Sequence, residues 1–153
     1  MRFDAGETAA FPRHPSGMHN LTRLQTAIAW LAQLTVAVIL LQTLFFKFTA
    51  AEESVYIFST IHAEPWGRIG SGVIELVASA LLFIPATAPI GAALAMASMA
   101  GAILTHLTVL GIEVKGDGGL LFALAVTALV GSAVVLLVRR TQLPVVGRYF
   151  EMA

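Results

Sequence analysis

Five side chains carry most of the chemistry this chain could perform in apolar surroundings: Gln42, Lys47, Arg68, Glu75 and His106. Lys47 closes a run from Leu24 to Phe46 that holds no charge. Arg68 and Glu75 are two helical turns apart, which puts them on nearly one face at depths differing by roughly 10 Å, and Gly72 between them leaves room for a group to approach the backbone. Gln42, five residues before Lys47, brings an amide to a similar depth, and His106 is the one ionisable residue between Ile90 and Leu110. An acid and an imidazole can exchange protons or hydrogen bonds with a polar head group, while two cations can hold negative charge as it develops. With His106 neutral, Lys47, Arg68 and Glu75 sum to one positive charge, which suits a head of carbonyl, quinol or anionic character. Each group also has a plainer use. Lys47 and Arg68 at helix mouths suit anchors that snorkel to an interface, Glu75 an ion pair between helices, and His106 a cross-link.

The elements that must position these groups are apolar and long. Of 153 residues 58% are hydrophobic and 12% charged, about half the charged share of a soluble domain. Spans are expected at about 24–46, 66–84, 90–110 and 120–138, each near the roughly 20 residues that one bilayer crossing needs. Arg139-Arg140 stops the last, and Pro85 and Pro89 separate the second from the third. A soluble helix of this length would show a polar face, and these show none. The first run is longer than a signal peptide's apolar region and reads as a retained helix. The expected fold is therefore all-α, an integral membrane four-helix bundle in up-down-up-down order.

Four crossings place both termini on one side, with Arg2, Arg13, Arg23, Arg139, Arg140 and Arg148 against Lys47, Arg68 and Lys115 on the other. That asymmetry predicts cytoplasmic termini, a mobile tail over 1–22 and a second tail over 141–153. The sequon at Asn20 then falls on the cytoplasmic side, as a chance match. Between the first two spans, Val55, Phe58 and Ile61 recur opposite Glu52 and Glu53, which predicts a short amphipathic helix on the outer face that could lid the bundle. Lys115-Gly116-Asp117-Gly118-Gly119 is turn chemistry, and Glu113 and Asp117 read as solvated loop acids. Small residues at four-residue spacing, Ala93, Ala97, Gly101 and Thr105, are expected to pack on Gly67, Ser71, Glu75 and Ser79, turning Glu75 inward. All the buried ionisable groups then lie in the outer half and none in the inner half.

Composition and motifs exclude much. Nine Lys+Arg balance nine Asp+Glu, so no basic field is available for nucleic acid, and the absence of cysteine removes thiol exchange, thiolate metal sites and cysteine-held clusters. The glycines from Gly67 to Gly72 are in the wrong order for a dinucleotide fingerprint, one membrane histidine cannot make a bis-histidine haem, and paired Glu-x-x-His helices are missing. His62 and Glu64 are too few for a metal site, so no metal is expected.

Leu41-Gln42-Thr43-Leu44-Phe45-Phe46-Lys47-Phe48, Arg68-x-x-x-Gly72-x-x-Glu75 and Gly101-Ala102 before His106 together resemble the DoxX family of small bacterial membrane proteins, over about residues 24–140. The resemblance implies a four-helix protein of the bacterial inner membrane, some of whose relatives are subunits of quinone-reducing complexes. It implies a quinone or similar lipophile as ligand, held by Lys47, Arg68, Glu75, His106 and Gln42. The expected partners are the lipid bilayer and a subunit of an oxidoreductase, with homo-oligomers allowed. The chain's lack of cysteine tells against direct thiol oxidation. Two other readings remain open: a scaffold or chaperone for a partner subunit, and a small proton-coupled transporter using Glu75.

Overall fold

The computed structural model describes residues 21–140, and those residues form helices and turns with no strand. The expected tails, the sequon and Arg2, Arg13 and Arg148 lie outside the described residues, apart from Leu21 and Thr22.

Helix α1, Arg23–Phe48, starts at a reciprocal cap. The Thr22 hydroxyl accepts from the Gln25 backbone N–H at 3.2 Å, and the Gln25 side chain accepts from the Thr22 N–H at 2.9 Å. Ala50 and His62 both take left-handed backbone conformations, and between them runs the short α2, Glu52–Thr60. Helix α3, Trp66–Leu82, stops before Pro85, two residues earlier than expected. Thr87 ties the turn that follows by donating to the Leu81 carbonyl at 3.0 Å. Helix α4, Ala88–Thr105, continues into a π-helical turn, His106–Leu110, which ends at Gly111 with φ 82°. Helix α5, Leu120–Arg139, begins after three glycines with positive φ, Gly116, Gly118 and Gly119.

Among the long helices, α1 packs on α3 and α5, and α4 packs on the same two, closing a ring of contacts; α2 touches α1, α3 and the π-helical turn. The core is built of small and branched residues such as Ala37, Leu40, Ala78, Ala92 and Ala128. Three helices are long and apolar enough to cross a membrane: Arg23–Phe48, Ala88–Leu110 and Leu120–Arg139. Helix α3, with 17 residues and two ionisable groups, is shorter, rising roughly 25 Å.

The ring is tight at one end and loose at the other. At the tight end a Cβ on Gly91 would stand 2.8 Å from the Ala78 carbonyl oxygen and 2.9 Å from the Leu82 nitrogen, so α4 and α3 meet there backbone to backbone. This corrects the expected stripe packing. The face of α4 turned into the core is Ala88, Gly91, Ala92, Ala95 and Met99, whereas Ala93, Ala97 and Gly101 are exposed, and a Cβ on Gly101 would meet nothing within 4 Å. The physical reason is phase: the backbone contact at Gly91 fixes the rotation of α4, and the small-residue stripe falls outside it.

The tight end is also not free of ionisable groups, as the sequence suggested. Arg139 is buried and donates from Nε to Gln33 Oε1 at 2.8 Å, and Gln33 Nε2 donates to the Leu82 carbonyl at 2.5 Å. Trp30 lies under the guanidinium at 5.9 Å. This network joins α1, α3 and α5 through one amide and satisfies a carbonyl at the end of α3.

Candidate functional site

At the other end α3 and α4 no longer touch backbone to backbone, and a cavity of about 700 Å³ opens beneath α2. Its wall is mostly apolar, with contributions from all five helices. From α2 come Glu53, Ser54, Ile57 and Phe58, and from its C-cap Ile61, so α2 does cover the cavity, by a face rotated from the one its hydrophobic spacing suggested: Glu53, expected on the far side, is part of the wall and Val55 is not.

Glu75 is the centre of its polar side. Its residue is 1% exposed, and three donors converge on the carboxylate: Lys47 Nζ at 2.5 Å and Ser98 Oγ at 3.2 Å on Oε1, and the Thr43 hydroxyl at 2.9 Å on Oε2. Thr43 shares its proton with the Leu40 carbonyl at 2.8 Å, and Ser79 donates to the Glu75 backbone carbonyl at 2.8 Å. An acid in so apolar a place is stabilised in its ionised form only by a cation and hydrogen bonds together, and here α1 and α4 supply both. The Lys47 ammonium also lies 5.9 Å from the Phe58 ring of the α2 cover.

Arg68 belongs to a different pair. It is buried, but it meets Glu64 through Nη2 at 2.7 Å and Nε at 2.9 and 3.0 Å, and its Nη1 donates to the Lys47 backbone carbonyl. It therefore caps the last turn of α1 and does not line the cavity. The sequence suggested Glu64 only as a metal ligand beside His62 and not as the partner of Arg68, although its spacing of four from Arg68 was the signal. The charged residues on the cavity wall are instead Lys47, Glu53, Glu75 and Asp117, which with His106 neutral sum to two negative charges in place of the one positive charge expected. The space expected beside Gly72 is filled by the Phe48 ring, 3.1 Å from where a Cβ would stand.

Gln42 lines the cavity from α1, exposed. His106 lines it from the start of the π-helical turn. Its ring Nδ1 is 2.8 Å from the Gly111 carbonyl oxygen, the Gly111 N–H donates back to the His106 carbonyl at 2.8 Å, and Phe122 packs edge to face with a centroid separation of 5.7 Å. Asp117, expected to be a solvated loop acid, also lines the cavity. Its carboxylate accepts backbone N–H bonds from Val114 at 2.8 Å, Gly119 at 2.9 Å and Leu121 at 2.9 Å, opening α5. The Leu121 N–H, reinforced by those of Val114 and Gly119 and by the nearby His106, holds its carboxyl below the usual range against partial burial. An Asp shortly before a helix, among glycines, was the available signal.

Outside the cavity, Lys115 pairs with Glu52 and lies 5.6 Å from the Tyr56 ring, tying α2 to the α4–α5 loop. Glu113 is exposed. His62 is exposed and Glu64 is taken by Arg68; among the described residues no three acids or histidines come together as a metal site. Chemically, the cavity wall offers one ion pair, two further carboxylates from Glu53 and Asp117, five hydroxyls, an amide and an imidazole on an otherwise apolar surface. Compared with known protein families, with curated proteins and with solved structures, the chain matches none.

Proposed function

We propose that this chain is a DoxX-like inner-membrane protein, a four-helix bundle in up-down-up-down order that binds a quinone or similar lipophile as an accessory subunit of a membrane oxidoreductase. The observation that carries this reading is the cavity itself: about 700 Å³ of mostly apolar wall with one hydrogen-bonded ion pair, Lys47 and Glu75, at its polar side. Pockets for drug-sized ligands have this size and this ratio of apolar surface to placed polar groups. A wall whose charged residues sum to a net negative charge disfavours an anion and favours a carbonyl- or hydroxyl-bearing head. Lys47 has ammonium protons beyond the one given to Glu75, and Gln42 and His106 add further hydrogen-bonding atoms on the same wall. A quinone ring fits such a donor set, and its tail fits the apolar wall. When bound it would supply the redox chemistry; the protein's part is to hold and orient it.

Membrane insertion is supported by what the helices turn outward. Leu31 is 70% exposed, Trp66 79% and Leu137 67%, and many other large apolar residues are exposed along the helices, far beyond what a soluble surface carries in one band. Among the described residues Arg23, Arg139 and Arg140 mark the tight end and Lys47, Arg68 and Lys115 the cavity end. The expected arginine excess therefore rests on Arg2, Arg13 and Arg148, which lie outside the described residues, and on that count the tight end and both termini are read as cytoplasmic.

The packed tight end speaks against a transport path, because the Gly91 crossing and the Gln33–Arg139 network close it. The test is retention of ubiquinone or menaquinone by protein purified in mild detergent and returned to lipid vesicles. Glu75→Gln should cut retention at least tenfold while the protein still accumulates in membranes. Equal retention by wild type and variant would break the site assignment, and altered assembly with a protein partner but no change in retention would favour the scaffold reading.

A further inference from the structure

The two ionisable poles of the cavity are not equivalent. Glu75 is fully engaged: each oxygen accepts from at least one donor, and one of those donors is a cation. His106 is engaged on one side only. A carbonyl oxygen can only accept, so the 2.8 Å contact with Gly111 puts the proton of the neutral ring on Nδ1 and leaves Nε2 as a lone pair. Nε2 has no hydrogen-bond partner among the described residues, yet no buried side-chain nitrogen or oxygen there lacks one. The atom therefore reaches accessible space, from a residue that is 5% exposed and forms part of the cavity wall. The π-helical turn makes this orientation permanent. Its i to i−5 bond from the Gly111 N–H to the His106 carbonyl brings the Gly111 carbonyl back over the same residue, so backbone and side chain of His106 are clasped by one glycine.

We propose that His106 Nε2 is the atom that selects the chemical form of the ligand's head group, accepting a hydrogen bond from a hydroxyl while the ring is neutral and turning away a bare carbonyl. This rests on the reading of the cavity as a site for a quinone-like lipophile and assigns it a preference for the reduced, hydroxyl-bearing form. An oxygen of a quinone cannot donate to Nε2, so its binding leaves two acceptors facing one another, whereas a hydroquinone hydroxyl satisfies both partners. Once the ring is protonated, Nε2 becomes a donor and the discrimination against carbonyl is lost. Of the charged groups on the cavity wall, Asp117 ahead of α5 interacts with the ring, while Lys47 from α1, Glu53 from α2 and Glu75 from α3 share the same wall; α5 itself presents Phe122.

Two measurements on the full chain in vesicles test this. In nitrogen-15 histidine spectra, with the His106 signal identified by its loss in His106→Asn, the neutral ring should show the proton on Nδ1; a proton on Nε2 overturns the proposal. Binding of a decyl-tailed hydroquinone and of the matching quinone, held anaerobically, should favour the hydroquinone by about tenfold at pH 8, the worth of one good hydrogen bond. His106→Asn keeps a donor for the Gly111 carbonyl and removes Nε2, so it should abolish the ratio without unfolding the protein. His106→Gln places an amide oxygen near the position of Nε2 and should restore part of the ratio. A ratio unchanged in His106→Asn overturns the proposal. A decyl-tailed phenol and its methyl ether provide the separate arm. If they are discriminated through His106 while neither quinone form binds, the quinone reading falls and the selection by Nε2 stands; if no probe binds, both fall.

Discussion

The two ends of the helix ring are made from the same kinds of residue and do opposite things with them. Both use glycine on α4, and both set a buried or partly buried cation beside a side-chain oxygen. At the tight end Gly91 is pressed against the α3 backbone, and the polar groups of Gln33 and Arg139 reach main chain and side chain across the helices. At the cavity end Gly101 faces open space, and Lys47 and Glu75 are bonded at the edge of about 700 Å³. A small residue between helices is thus no sign of close packing in itself. Whether it admits a neighbouring backbone or lines a void depends on which glycine the crossing has chosen. In an apolar solvent, where burial of Leu and Ile against one another gains little, that choice is set by backbone contact and by satisfying polar groups.

The sharpest way to break this contrast is one methyl group placed at each end. Gly91→Ala drives a Cβ to within 2.9 Å of backbone atoms of α3 that cannot move away cheaply, and should cost about 3 kcal/mol in thermal or denaturant unfolding in detergent. Gly101→Ala meets nothing and, being a helix interior, should leave stability unchanged or raise it by up to about 1 kcal/mol. Equal losses at both positions would erase the distinction between the ends.

A second comparison separates structure from binding within the cavity end. Glu75→Leu alone leaves the Lys47 ammonium without its anion and should cost about 2 kcal/mol, less than a fully buried pair because the Lys47 side chain keeps 14% of its exposure. Lys47→Met combined with Glu75→Leu should recover most of that stability yet retain no quinone. Retention by the double variant would show that the ion pair serves packing alone.

The smallest effect concerns the loop that closes the cavity. Asp117→Asn weakens the acceptor for three backbone N–H groups at the start of α5 and should cost roughly 1 kcal/mol at neutral pH. Because the folded protein holds this carboxyl below its ordinary value, its contribution is complete above about pH 4 and is lost as the pH falls through the folded value. The gap between wild type and variant in unfolding experiments should therefore close in acid and be constant from pH 5 upward.

Which parts of this were legible in the sequence follows from what each part depends on. Helix positions depend on runs of apolar residues and on proline, so the expected segments at 24–46, 66–84, 90–110 and 120–138 fall on α1, α3, α4 with its π-helical turn, and α5. The spacing from Arg68 to Glu75 correctly put both on the buried face of α3. Helix rotation was not legible, because the small-residue stripe through Ala97 and Gly101 competes with one through Gly91 and Ala95, and only the crossing decides between them. Partner choice was not legible either. Arg68 has an acid four residues before it and another seven after, and the nearer one, in the loop, wins. Gln33 was a lone amide in an apolar run, a signal that points to a buried partner without saying that Arg139, more than a hundred residues on, supplies it.

The crossing at Gly91 has a mechanical side. Two rods that touch at one end and part toward the other behave as a clothes peg, with the contact as pivot and the open ends as jaws. From Gly91 to His106 the lever is roughly 22 Å long, so a tilt of about 5° between α3 and α4 would move the jaws by about 2 Å, enough to admit or grip a flat ring. Nothing at the pivot would need to break for that to happen, and the polar tie strung between the jaws is the bond from the Ser98 hydroxyl to Glu75.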